Sequence, residues 1–244
     1  MSRLQGKTAV VTGGGTGIGF GAAKRFVDEG AFVYIFGRRQ EQLDAAVAKL
    51  GSQARAVRGS VTDLSDLDRL YETVRKERGT LDVLVANAGT GLFAPLGEIT
   101  VEHYDHIFDV NVKGLVFTVQ KALPLMKQGA SIILTGSSTG VMGTPQFSIY
   151  SATKAAIRNL ARSWAQDLRG TGIRVNVLSP GPTKTELALE IVGEEAFDSL
   201  GSSTPIGRVG DPSETGAVAA FLASSDSSYM TGGEVFVDGG LAQV

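Results

Sequence analysis

The chain has 244 residues, 43% of them hydrophobic, and a formal net charge of −2 with both signs interspersed. That length fits one large α/β domain or two small ones, and no basic tract points to a nucleic-acid or anionic-membrane surface. There is no cysteine, hence neither disulfide nor thiolate chemistry. No apolar run reaches the roughly 18 residues of a membrane span, and the start MSRLQGKTAVV lacks a secretory apolar region, so a soluble, cytoplasmic protein is expected.

Residues 8–11 form a short β-branched run that breaks into Thr12-Gly13-Gly14-Gly15-Thr16-Gly17-Ile18-Gly19. A helical pattern follows, with Phe20, Ala23, Phe26 and Val27 on one face, ending at Gly30. Residues 32–36 read as a second strand; Leu43, Ala46, Val47 and Leu50 mark a second helix. A weak strand at 54–57 precedes a helix at 64–76. Residues 81–86 are apolar apart from Asp82, as expected of a strand covered on both faces.

Helices are expected at 101–112 and 115–126, a strand at 131–135, a long helix at 150–169 closed by Gly170, and a strand at 174–178. The amphipathic segment 186–200 lies between glycine and proline positions. A helix at 213–223 and a strand at 235–237 complete the chain. His103 and His106 fall in a polar helical segment without metal-ligand spacing, so they read as a solvated face and no metal is expected. Repeated β-α alternation with helix-length crossovers implies a single-domain, Rossmann-like, doubly wound parallel sheet of about seven strands, with helices on both faces. No repeat or linker divides residues 1–244.

Strand, glycine loop and helix in succession form a nucleotide site: the loop turns tightly and lets a pyrophosphate reach the helix N-terminus. Gly13, Thr16, Gly17, Ile18 and Gly19 are the expected contacts, in a G-x3-G-x-G spacing without the Lys-Ser/Thr of a P-loop. Cofactor choice is decided where the second strand ends. There the chain reads Gly37-Arg38-Arg39, with no acid before Glu41. A carboxylate would repel a ribose 2′-phosphate, whereas guanidinium groups grip it, so NADP(H) is expected, with Arg38 as main contact and Arg39 beside it.

Tyr150 and Lys154, four apart in Tyr-Ser-Ala-Thr-Lys, share one helix face. A cation near a phenol favours the phenolate, so the Tyr150 pKa is expected to fall toward neutrality, which suits proton exchange with a substrate oxygen. Ser137 stands thirteen residues upstream, after the apolar segment 132–134.

Together with Asn87-Ala88-Gly89, Asn111 in Asp-Val-Asn-Val and Ser179-Pro180-Gly181, these residues resemble the short-chain dehydrogenase/reductase family over essentially the whole chain. The segments FVDEGAFVYIFGRR, FTVQKALPLM and FVDGGLAQV are similar to bacterial NADP-dependent secondary-alcohol dehydrogenases that accept bulky ketones. The resemblance implies that Tyr150 is the general acid in reduction, and that Ser137, rather than Ser138, bonds the substrate oxygen. Lys154 would bind the nicotinamide ribose and lower the Tyr150 pKa. Asn111 would hold a water linked to Lys154 through a kinked helix. Asn87, Ala88 and Gly89 would line the adenosine side, and Pro180, Gly181 and Thr183 would face the nicotinamide.

Ser60-Val61 replaces the family's frequent Asp-Val at the adenine contact, where a serine hydroxyl is a weaker acceptor and the Val61 amide is unaffected. Ala86 replaces the first amide of the usual Asn-Asn-Ala-Gly. The same motifs occur in 3-oxoacyl-carrier-protein reductases, which need a basic carrier-protein face; Arg158, Arg162 and Arg169 are the candidate cluster, read equally as solvated or at a subunit interface. A non-catalytic NADP-binding regulator is the remote alternative. The substrate pocket is expected in segments 90–96, 139–149 and 186–200, with Phe93, Met142, Phe147, Leu187 and Ile191 as lining residues and 184–204 as a lid. A cofactor half (1–135) and a catalytic half (136–244) follow. Apolar residues beyond one core stripe (Val116, Phe117, Val119, Ile157, Leu160, Ala161 and Trp164) and the apolar tail lead to an expected homotetramer.

Overall fold

The computed structural model describes residues 2–244, apart from the side chains at 192, 194–196 and 198. Seven strands run parallel: β1 (Thr8–Thr12), β2 (Phe32–Gly37), β3 (Ala54–Arg58), β4 (Leu81–Ala86), β5 (Met126–Thr135), β6 (Arg174–Pro180) and β7 (Glu234–Val237). Their order in the sheet is β3-β2-β1-β4-β5-β6-β7, reversing direction of growth between β1 and β4. Clefts for ligands open at such a switch, beyond the carboxyl ends of the strands.

Side-chain alternation builds two cores. On β1 and β2, Val10, Tyr34 and Phe36 point to one face, while Ala9, Val11, Val33 and Ile35 point to the other. The second face is covered by α1 (Gly17–Asp28), α2 (Gln40–Leu50) and α9 (Pro212–Ala223), through Phe26, Leu43, Leu222 and their neighbours. The first is covered by α3 (Leu64–Arg78), α5 (Gly114–Ala122) and α6 (Ser148–Asp167), through Leu67, Val119 and Ile157. Gly21 and Gly216 let α1 and α9 touch backbone to backbone: a Cβ at Gly21 would lie 2.3 Å from the Pro212 carbonyl, and one at Gly216 would lie 2.5 Å from that of Gly21.

Three departures from the sequence reading have physical causes. β5 begins at Met126, not near 131, because its register to β4 shifts between the Leu81–Met126 and Val83–Ser131 pairs; the polar Lys127-Gln128-Gly129 excursion hid the strand's first half. The helix expected at 101–112 is α4 (Val101–Phe108) followed by a π-turn at Asp109–Lys113 that runs on into α5. The segment 186–200 is two helices, α7 (Glu186–Val192) and α8 (Glu194–Ser202), broken at Gly193, whose φ of +79° favours glycine.

Candidate active site

The glycine loop leaves β1 with Gly13 and Gly17 in the left-handed region, at φ +65° and +54°. A Cβ on Gly19 would lie 2.2 Å from the Gly13 carbonyl oxygen, so only glycine lets the loop close on the first turn of α1. Asn87, just beyond β4, clamps the loop. Its Nδ2 donates to the Thr12 carbonyl at 3.0 Å and to the Gly13 carbonyl at 3.4 Å. Thr12 Oγ1 answers by accepting from the Asn87 and Ala88 amides, both at 3.0 Å.

The N-terminus of α1 differs from those of α3, α4, α7 and α9, which are capped by Asp63, Thr100, Thr185 and Asp211. Thr16 makes no side-chain capping bond, and the first turn of α1 carries no acid. Its leading amides and positive dipole end therefore suit an anion. The glycine cradle and this uncapped terminus fit a dinucleotide pyrophosphate.

At the end of β2, Arg38 and Arg39 are both exposed and line the same cleft. The Arg39 guanidinium lies 3.9 Å from the Glu186 carboxylate of α7, which also accepts from Gln42 Nε2 at 3.2 Å. Ser60 and Val61 line the cleft beyond β3; the Ser60 hydroxyl shares a 2.8 Å bond with that of Thr62.

Across the cleft, the helical period of α6 places Tyr150 and Lys154 on the face that carries Thr153, Ile157 and Ala161 inward. Ser137 follows β5 and shares the cleft with the Tyr150 phenol, whose pKa its hydroxyl lowers. Thr139 also donates to Ser137 Oγ, from its hydroxyl at 3.1 Å and its amide at 3.3 Å. Lys154 is buried; its ammonium donates to the Thr135 carbonyl at 2.9 Å and lies 5.4 Å from the Tyr150 ring centroid.

The direction of the Tyr150 pKa corrects the expectation of a value near neutrality. Burial pushes the phenol above its ordinary value, and the bond to Ser137 pulls it only part of the way back. The ammonium of Lys154 is hydrogen-bonded to the Thr135 carbonyl rather than to the phenol. Burial also pushes Lys154 down, to about 8.

Asn111 occupies the π-turn and is buried. Its Oδ1 accepts from the Thr90 amide at 2.8 Å, while its Nδ2 donates to the Thr90 carbonyl at 2.9 Å and to Thr153 Oγ1 at 3.1 Å. Gly89 fills the space between: a Cβ there would lie 3.3 Å from Asn111 Oδ1 and 3.8 Å from Lys154 Nζ. Beyond β6, a Cβ on Gly181 would lie 2.6 Å from the Asp238 Cα, and Thr183 Oγ1 donates to the Gly181 carbonyl at 3.0 Å.

One cleft of about 1070 Å³ brings Gly13, Thr16, Gly17, Ile18, Arg38, Arg39, Ser60, Val61, Asn87, Ala88 and Gly89 together with Ser137, Tyr150, Lys154, Pro180, Gly181 and Thr183. Gly19 and Asn111 are not on its wall; they support it from behind. Phe93, Met142, Phe147, Leu187 and Ile191 line it, and His106, read as a solvated residue, does so as well. Sequence reasoning missed the Thr135 carbonyl and Thr153. Thr153 had a signal: in a helix its hydroxyl reaches back three residues, and here it donates to the Tyr150 carbonyl at 2.6 Å.

A family model described as Enoyl-(Acyl carrier protein) reductase matches residues 13–242. The oxidoreductase asL5 of Sarocladium schorii is 64% identical, over 100% of this chain and 99% of its own. The chain belongs to the short-chain dehydrogenase/reductase family. The family relative named NADP-dependent (R)-specific alcohol dehydrogenase, from Lentilactobacillus kefiri, is 36% identical over 98% of this chain and 97% of its own. A crystal structure of a family member, 3-ketoacyl-(acyl-carrier-protein) reductase from Brucella melitensis complexed with NADH, superposes with a TM-score of 0.91 at 31% identity, covering 98% of this chain and 99% of that one. As a member of this family the chain is an oxidoreductase that uses a nicotinamide cofactor.

Proposed function

We propose that the protein reduces ketones to secondary alcohols with NADPH, reversibly, and that its substrates are bulky or aromatic. The observation that carries this reading is the placement of Ser137, Tyr150 and Lys154 in the same cleft as the uncapped start of α1. The chemistry supplied by a bound nicotinamide is hydride transfer to the carbonyl carbon. The protein's own contribution is to orient that carbon and to manage the charge that grows on its oxygen. Ser137 and Tyr150 are the two hydroxyl donors aimed at one point, where such donors stabilise an oxyanion. Tyr150 then gives up its proton to the growing oxyanion; the phenol is protonated at neutral pH, and burial makes it a weaker acid than a free phenol. Lys154, buried one helical turn on, favours the phenolate left behind. Asn111 fixes the π-turn beside this pair.

The choice of NADP(H) rests on Arg38 and Arg39 at the cleft rim and on the absence of an acid before Glu41. The choice of a bulky or aromatic ketone rests on Phe93, Met142, Phe147, Leu187 and Ile191 along the cleft wall. Residues 184–204, which include α7 and α8, are the proposed lid over that wall. A cytoplasmic homotetramer completes the proposal. Reduction of 3-oxoacyl thioesters is the second reading, favoured by the name of the Brucella melitensis structure. NADPH consumption with a panel of aryl ketones and acetoacetyl thioesters separates the two. Turnover confined to the thioesters would contradict the ketone assignment.

A further inference from the structure

Gln146 is the one non-glycine residue among those described with a left-handed backbone, at φ +59°. Such a conformation costs an L-residue free energy and persists where the surroundings enforce it. Two contacts do so here. The Gln146 carbonyl accepts from the Ala94 amide at 2.8 Å, tying the loop after β4 to the start of α6. The next residue, Phe147, lays its ring on that of Tyr150, with centroids 4.3 Å apart and planes at 25°. Phe93 stacks on the other end of the series, 4.4 Å from Phe147. Gly91 makes the stack possible: a Cβ there would lie 2.9 Å from Phe147 Cζ and 3.1 Å from Tyr150 Cδ2.

We infer that Phe147, held by the left-handed turn at Gln146, is a positioning residue that fixes the Tyr150 ring and keeps water from its face. The inference deepens the reading of Tyr150 as proton donor and rests on it. A ring confined by stacking keeps its hydroxyl aimed at the Ser137 side of the cleft; a ring free to swing about χ1 carries its hydroxyl away from that point. The titratable and charged groups that share the cleft are Lys154 on α6, His106 on α4, Asp109 in the π-turn, Glu190 on α7, and Arg38 and Arg39 after β2. None of these lies on the Phe93–Phe147 stack, so removing a ring changes the solvation of the phenol without moving a charge.

Gln146 allows a clean test, because its side chain is exposed and does not line the cleft. Valine is strongly disfavoured at positive φ, whereas glycine adopts it freely. Four variants are compared: Phe147→Ala, Phe147→Tyr, Gln146→Val and Gln146→Gly. The first readout is the titration of the Tyr150 phenol by carbon NMR of labelled tyrosine, assigned by difference against Tyr150→Phe, with no substrate present. The second is kcat for ketone reduction against pH.

Phe147→Ala is expected to lower the Tyr150 titration midpoint, since the phenol regains water. It should also lower kcat by about 10- to 100-fold through misplacement, leaving NADPH affinity unchanged. Phe147→Tyr restores both, Gln146→Val behaves like Phe147→Ala, and Gln146→Gly behaves like the unmodified protein. The inference is overturned if Phe147→Ala leaves titration and kcat in place, or if Gln146→Val and Gln146→Gly cannot be told apart. A shifted titration in a protein that reduces no ketone supports the role of Phe147 and contradicts the reaction assignment, so the two failures are distinguishable.

Discussion

Asn111 Nδ2 donates to Thr153 Oγ1 at 3.1 Å, and that hydroxyl donates in turn to the Tyr150 carbonyl at 2.6 Å. The π-turn and the catalytic helix are thus joined by one buried side-chain bridge. Asn111→Leu keeps the branching but strands the Thr90 amide and carbonyl, both on a half-buried residue, where the unpaired state costs about 1 kcal/mol each. At this chain length each kcal/mol is worth about 2–4 °C, so calorimetry should show a fall in Tm of roughly 4–8 °C. Ketone reduction should fall with it at temperatures where the variant is still folded. An unchanged Tm would mean that water replaces the amide at no cost.

The second prediction concerns the cofactor. Arg38→Asp replaces a guanidinium at the cleft rim with a charge that repels a phosphate. A charge-assisted hydrogen bond contributes about 1.5–3 kcal/mol, so the KM for NADPH should rise roughly 10- to 150-fold while that for NADH changes little. Steady-state kinetics with both cofactors decides it. A preference for NADH in the unmodified protein would contradict the NADP(H) assignment directly.

Much of the fold was legible because β-branched strands and glycine breaks recur in order, and because Gly13, Gly17 and Gly19 sit where a backbone must approach a ligand or its own carbonyl. Ser137, Tyr150 and Lys154, expected from type, spacing and the family resemblance, lie in one cleft. The direction of the Tyr150 pKa was not legible, since it depends on burial, which residue type and spacing do not signal. The π-turn escaped because its residues Asp109–Lys113 have ordinary helical composition. Of the residues expected on a subunit face, Val119, Ile157 and Ala161 are buried in their own subunit's core, while Phe117, Leu160 and Trp164 are half-buried at its edge. Periodicity alone does not say whether a second apolar stripe meets the sheet or another chain. The tail expected at a subunit contact folds inward in part: the Asp238 carboxylate accepts from the Gly240 and Ala242 amides at 3.0 and 2.9 Å, and Leu241 lines the cleft.

The third prediction is assembly. Phe117, Leu160 and Trp164 remain as a half-buried apolar edge, and such surface favours self-association. Sedimentation equilibrium should give a mass of four 25.5 kDa subunits. A stable single-subunit species at micromolar concentration would contradict the tetramer.

The fourth prediction is acid sensitivity. Glu29, at the end of α1, accepts from Arg3 Nε and Arg25 Nε, both at 2.6 Å, and these guanidinium groups lower its carboxyl from 4.5 to about 2. A carboxylate lowered on folding stabilises the folded state above its unfolded value and loses that contribution as pH falls toward the folded one. Glu29→Gln should therefore lower stability at neutral pH by on the order of 1 kcal/mol, since the pair is partly exposed. The difference from the unmodified protein should vanish between pH 4.5 and about 2. Urea denaturation at several pH values reads it, and a difference independent of pH would show that the carboxylate's charge is not what anchors the N-terminus.

The central claim is that the Tyr150 hydroxyl supplies the proton for ketone reduction, and the kinetics of Tyr150→Phe test it most directly. The substitution removes one oxygen and leaves the ring between Phe147 and Lys154. General acid terms are worth about 10²–10⁴-fold, so turnover of a good aryl ketone, followed by NADPH absorbance, should fall by that factor while the Kd for NADPH stays within a few-fold. A Tyr150→Phe protein that turns over ketone at the unmodified rate would contradict the account.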